Sequence, residues 1–162
     1  MPVVKISEMH HGISKDTELV SINIPDKHKI FAGDILFSWS ATLEVMLWCG
    51  ANAGLNQHIF KVVPKENYSK EYVYQQVSTY IINFIKMAEA RKTTMGHITS
   101  DHMEQSRIVL PPNTLVEKYS IKVKKMYDKI VSANKENQEL TSLRDFLLPL
   151  LMNGQLGFKD CE

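Results

Sequence analysis

The chain has 162 residues, of which 44% are hydrophobic and 23% charged, and a formal net charge of +1; it is long enough for one ordinary domain and an appendage. No apolar run approaches the roughly 20 residues of a membrane-spanning helix, and the opening Met-Pro-Val-Val-Lys-Ile lacks a signal peptide's basic-then-apolar pattern, so a cytoplasmic protein without a membrane partner is expected. The near-neutral charge argues against tight solitary DNA binding, because phosphate contacts supply most of such affinity, but allows a chain that reads sequence while a partner supplies the clamp.

Val3–Ile6 and Leu19–Ile24 are short β-rich runs separated by Gly12 and polar residues. Ala32-Gly33-Asp34 is a turn signal leading into Ile35–Ser40, and the next apolar run is Val45–Trp48. Ala51–Gly54 is a second turn, followed by Ile59–Val63, which Pro64 stops. Ser69 is placed to cap a helix over 69–91, with Glu71 favourable for its dipole. Val73, Val77, Tyr80, Ile81, Phe84, Ile85 and Ala88 recur there at helical spacing. Arg91 and Lys92 fall at its C-terminal end, where cations compensate the dipole whether or not they bind anything. Thr93–His97 is a loop, and Ser100 and Asp101 suit the cap of a turn through His102–Gln105. Arg107–Leu110 reads as a final strand, and Pro111-Pro112 then breaks hydrogen-bonded structure.

Beyond this boundary the composition changes. Residues 113–151 lack glycine and, before Pro149, proline. Leu115, Tyr119, Val123, Met126, Ile130, Ala133, Leu140, Leu143, Leu147 and Leu151 recur at steps of three and four, with Asn137 on the same seam. The narrow stripe is of coiled-coil type, and the Leu140–Leu143–Leu147 step predicts a local change of pitch. Thirty-five such residues would span roughly 50 Å, so the helix must project and its stripe needs a partner. An Asn in the seam fixes register at a cost in stability, unless it rotates out to water. Leu148 precedes Pro149, so the helix is expected to end or kink there. The fold class expected is therefore α+β: a domain with a mixed β-sheet over 1–112, one long C-terminal coiled-coil-type helix over 113–152, and a flexible tail over 153–162.

Three segments stand in a characteristic order: Gly33–Ser40 with Leu47-Trp48 after it, Leu55–Val62, and Thr93–Ile98 followed by the run ending in Pro111-Pro112. Together they resemble the target recognition domain of the specificity (S) subunit of type I restriction-modification systems. The helix closing with Leu143–Pro149 and Leu151–Gly154 resembles that family's spacer helix. The resemblance implies a non-catalytic chain that reads double-stranded DNA and docks modification (methyltransferase) subunits and, in the full complex, restriction subunits. S-adenosylmethionine and ATP would bind those partners, and no cofactor this chain. The chain departs from the family by having one recognition domain and one spacer helix where a full S subunit has two of each. It also begins late, at what resembles an inner strand of the domain. A fragment, a truncated product and a half-subunit all remain open; the stripe favours a homodimer through the long helix.

The resemblance makes the DNA-binding candidates Lys27, Lys29, Asn56, Gln57, Arg91, Lys92, Thr93, Thr94 and His97. Lys27 and Lys29 suit phosphate contacts, or form a solvated turn. Asn56 and Gln57 can pair with adenine, yet a motif shared by domains that read different sequences favours a structural role. The same holds for His97, although the threonines and Gly96 suit close approach to DNA. Trp39 and Trp48 are expected in the core. Lys118, Lys122, Lys124, Lys125 and Lys129 could lie along DNA or be solvated. Val123, Met126, Ile130, Asn137, Leu140 and Leu147 form the dimerisation seam.

Cys49 lies in an apolar run and Cys161 near the end, which is no disulfide framework. Cys49 with His58, or His10 with His11, lacks zinc spacing, so no metal site is expected. An enzyme built on Cys49 with His58 or His97 would need an activating group that the run around Cys49 lacks. The alternative to DNA recognition is a non-catalytic protein-interaction module with a dimerising helix, which the near-zero charge favours.

Overall fold

The computed structural model describes residues 1–65, 68–90, 98 and 100–157. In chain order it forms β1 (Val3–Val4), α1 (Ile6–His11), a 3-10 turn (Asp26–His28), β2 (Lys29–Ile30), β3 (Ile35–Ser38), β4 (Glu44–Leu47), β5 (Ala53–Leu55), β6 (Ile59–Val62), α2 (Lys70–Ala90), α3 (Ser100–Gln105) and α4 (Asn113–Met152). The α+β class with a long C-terminal helix is as expected.

The strands make two small sheets, ordered β1–β5–β2 and β4–β3–β6. β5 runs parallel to β1 and antiparallel to β2, while β3 is antiparallel to both its neighbours. Every residue of β3 is buried, which is why the segment reads as a continuous apolar run. Leu36 joins Val4, Met9, Ile30, Trp48, Ala53 and Ile59 in one core. Phe37, next along the strand and so on the opposite face, joins Phe84, Ala88 and Ile98 in a second. Phe84 faces Phe37 at 5.6 Å between ring centroids.

The turn before β3 forms as the sequence predicts. Gly33 adopts φ +86°, a left-handed conformation that favours glycine. The Asp34 side chain accepts the Phe31 N–H at 2.9 Å, and the Trp48 N–H donates to the Asp34 carbonyl at 2.8 Å. Helix α2 is also as read: the Tyr72 N–H donates to the Ser69 hydroxyl at 3.2 Å, a side-chain N-cap.

Several expected elements differ. Leu19–Ile24 forms no strand; Leu19 bridges only Pro2, and both Leu19 and Ile22 are exposed. The pairing stops there: the Val3 N–H donates to the Glu18 carbonyl and the Val20 N–H to the Met1 carbonyl, both at 2.8 Å, on either side of that single bridge. The expected Val3–Ile6 strand stops at Val4 because Ile6 opens α1, whose start is held by the Lys5 N–H donating to Glu8 Oε2 at 3.1 Å. Ala53 and Gly54, read as a turn, belong to β5, and a Cβ on Gly54 would press to 3.1 Å on both Ile24 and Val20. Ser100 and Asp101 lie inside α3 rather than capping it. Arg107–Leu110 is no strand: Val109 is exposed and its carbonyl accepts the Tyr72 hydroxyl at 2.6 Å. A side chain of α2 satisfies it where a sheet neighbour was expected.

Helix α4 has 40 residues, about 60 Å at 1.5 Å per residue, and does not end at Pro149. Pro149 sits inside it, and its carbonyl accepts the Asn153 N–H at 3.0 Å. The carbonyl that proline leaves without its helical partner, four residues earlier, belongs to Asp145, an exposed residue, so it is not forced into the protein interior. The start of α4 packs on α2 through buried Val116, a Ser120–Ser69 hydroxyl contact and an edge-on Tyr74–Tyr127 pair at 5.6 Å. Residues 132–146 are exposed throughout; Ser132 and Lys135 still line a cavity with Gly33 and Leu47, and beyond them the helix projects as the stripe required.

Candidate nucleic-acid interface

Asn56, Gln57 and His58 connect β5 to β6, and the fold around them holds their backbone closely. The Asn56 N–H donates to the Val4 carbonyl at 3.0 Å and the Ile59 N–H to the Asn56 carbonyl at 3.1 Å. Asn56 Oδ1 accepts the His58 N–H at 3.1 Å, which commits that oxygen to the turn itself. Gln57 at the tip is exposed, with its Nε2 3.5 Å from His58 Nε2.

Trp39 supplies the second half of this arrangement. Its indole N–H donates to the Gln57 carbonyl at 3.2 Å, and its backbone N–H donates to the His58 carbonyl at 3.2 Å. The ring stacks on half-exposed Phe60 at 5.8 Å and lies 5.6 Å from the His58 ring. Trp48 is fully buried as expected, but Trp39 is only half-buried. Trp39 follows the last residue of β3 and packs against the Phe37–Phe84 core while part of its ring stays in solvent.

Register gathers more of the candidates at this end. β2 pairs Lys29 with Gly54, so the chain before Lys29 runs alongside the exit of β5 toward Asn56. Lys29 itself is engaged, its Nζ 2.9 Å from Asp26; the ammonium holds the Asp26 carboxyl below its usual range. Lys27 is exposed. The Ile98 N–H donates to the Trp39 carbonyl at 3.1 Å, which ties Ile98 to the same corner. Arg91, Lys92, Thr93, Thr94 and His97 lie outside the described residues.

The proposed seam divides. Val123 and Leu147 are partly covered, whereas Met126, Ile130, Asn137 and Leu140 are exposed on this single chain. The residues that meet α2, Val116, Ser120 and Tyr127, are one position off that seam, so docking on the domain leaves most of the stripe uncovered. Lys118, Lys122, Lys125 and Lys129 share the face roughly opposite α2 at helical spacing, and all are exposed.

The nucleophile reading of Cys49 meets a physical obstacle. The thiol is buried beside the Leu47 carbonyl. Burial pushes its pKa up, and a hydrogen bond with Asn134 opposes this only in part; a nucleophilic cysteine needs the opposite shift. Among the described residues no three His, Cys, Asp or Glu side chains group as metal ligands, and no helix is long and apolar enough to cross a membrane.

Residues 1–142 match the family model described as "Type I restriction modification DNA specificity domain". Among characterised relatives, the type I restriction enzyme HindI specificity subunit of Haemophilus influenzae is 25% identical over 96% of this chain and 35% of its own length. The EcoBI specificity subunit of Escherichia coli is 24% identical over 69% of this chain and 23% of its own. The MjaIX specificity subunit of Methanocaldococcus jannaschii is 31% identical over 42% of this chain and 16% of its own. The chain thus spans about a third or less of the length of these relatives.

Proposed function

This chain belongs to the type I restriction modification DNA specificity domain family, and on that premise we propose that it recognises a duplex DNA sequence as one half of a specificity subunit. Residues 1–112 act as the target recognition domain and α4 as the spacer and dimerisation helix. The observation that carries this reading is the stripe on α4, with Met126, Ile130 and Leu140 exposed on a helix that outruns its own domain. Two copies paired through it would place two recognition domains at a fixed separation and read a symmetric site.

Charge favours an antiparallel pair. Lys118, Lys122, Lys124, Lys125 and Lys129 dominate the first half of the helix, while Glu136, Glu139 and Asp145 outnumber Lys135 and Arg144 in the next stretch. Parallel strands would stack the lysines on each other; antiparallel ones set them against carboxylates. The chain does no chemistry in this reading. Modification subunits holding S-adenosylmethionine, and restriction subunits using ATP, dock on the assembled pair, in the cytoplasm.

Lys27 and Lys29 contribute to phosphate contact, and so do Arg91, Lys92, Thr93, Thr94 and His97. The test joins solution mass to duplex binding across a salt series. A dimer at micromolar concentration that binds duplex DNA with steep salt dependence is the expected result. A monomer counts against the half-subunit, and the absence of both DNA binding and methyltransferase association at any salt overturns the whole reading.

A further inference from the structure

We infer that the Asn56–His58 turn grips the sugar-phosphate backbone of DNA through Gln57, and that Trp39 is the positioning residue that holds it there. The inference rests on the DNA-recognition reading above and names the part of the domain that sets its register on the duplex.

The turn is fixed far more firmly than a loop connecting two short strands requires. Asn56 turns its own side-chain oxygen onto the His58 N–H, the Asn56 carbonyl accepts from Ile59, and the Gln57 carbonyl takes the indole N–H of Trp39. Trp39 is in turn seated on Phe60 and bonded by its backbone to His58 and Ile98. All this order converges on one exposed side chain, Gln57, that buries nothing. A terminal amide on an immobilised backbone is suited to binding, because the entropy of ordering its main chain is lost on folding and not on association.

Backbone contact is favoured over base reading for a chemical reason. A neutral amide bonds one phosphate or sugar oxygen whatever the sequence, and such contacts set orientation without carrying sequence information. Reading adenine would need the Gln57 carbonyl and an amide N–H presented together in one plane, whereas a phosphate or sugar oxygen needs a single N–H, and the amide nitrogen carries two, one of which can face the His58 ring 3.5 Å away.

The experiment measures binding of wild type, Gln57→Ala, Trp39→Phe and the double variant to a panel of duplexes differing in sequence. Trp39→Phe keeps an aromatic ring against Phe60 and removes the indole N–H donor along with part of the ring surface. Gln57→Ala is expected to weaken every duplex by a common factor of about 5 to 10, the loss of one hydrogen bond, with the preferred sequence and the thermal midpoint unchanged. Trp39→Phe should weaken all duplexes alike, and the double variant should fall short of the product of the two losses, since both act through one contact. A merely structural Trp39 would give the full product. Gln57→Ala binding like wild type, or altering which sequence is preferred, overturns the inference and leaves DNA recognition standing. Wild type that binds no duplex removes both.

Discussion

The Tyr127 hydroxyl of α4 donates to Gln75 Oε1 of α2 at 3.2 Å, so the projecting helix is fastened to the domain by a side-chain hydrogen bond as well as by packing. Burial, followed by neighbouring Tyr119, pushes the Tyr127 pKa up from 10.0 to about 12. A phenol whose folded pKa is raised stabilises the fold while it is protonated in both states. That contribution is lost as pH rises from about 10 toward 12, where the unfolded chain releases the proton first. Ultraviolet titration of wild type against Tyr127→Phe should show one fewer late-ionising tyrosine in the variant; burial also raises Tyr72, which should remain. At neutral pH, Tyr127→Phe should cost about 1 kcal/mol in denaturant unfolding.

Asp34 gathers three interactions at the head of β3: the Phe31 N–H, Lys61 at 2.7 Å and Lys70 at 3.6 Å. Lys61 and Asp34 are both mostly covered, at 19% and 14% side-chain exposure. Asp34→Ala would leave the Lys61 ammonium in a covered site without its carboxylate and undo the turn. A loss of about 2–3 kcal/mol is expected in chemical denaturation, with Asp34→Asn milder because it keeps an acceptor for Phe31.

Gly50 lies against the Trp48 ring, which occupies the space a Cβ would need. Trp48 is fully buried in the first core, so the ring has nowhere to move. Gly50→Ala should destabilise the domain by about 1–3 kcal/mol, read as a fall in thermal midpoint. The same substitution at Gly157, which has open space around it, should leave the midpoint unchanged.

Ile130 and Leu140 are about half exposed on the single chain. Replacing either with Glu should therefore leave the fold of the domain intact and weaken self-association by tenfold or more. Sedimentation across a concentration series reads the association, and circular dichroism the fold.

Lys27 is exposed, while Lys29 is held by Asp26. Lys27→Ala is expected to lower the log–log salt slope of DNA binding by about 1, the release of one phosphate contact. Lys29→Ala should lower it less, because its ammonium already has a partner.

The sequence by itself determined the features governed by near neighbours along the chain. Helical periodicity and the Ser69 cap gave α2, the long uninterrupted stripe gave α4, and Ala32-Gly33-Asp34 gave the turn before β3. The family was legible from motifs in order. Tertiary structure alone decided what depends on distant partners. Two-residue β1 and β2 exist only because β5 lies between them, and no local pattern marks strands so short. Leu19–Ile24 has β propensity but pairs with the first residues through a single bridge at Leu19, and the Val109 carbonyl is satisfied by a tyrosine where a strand was expected. The candidate site divides in the same way. Asn56 and Gln57 were visible as polar residues in a motif, but the convergence of Trp39 on Gln57 was not, because the indole reaches its acceptor across a sheet and not along a segment. The stripe on α4 belonged to the sequence; that α2 takes the neighbouring face and leaves most of the stripe open was settled by where Val116, Ser120 and Tyr127 meet the domain.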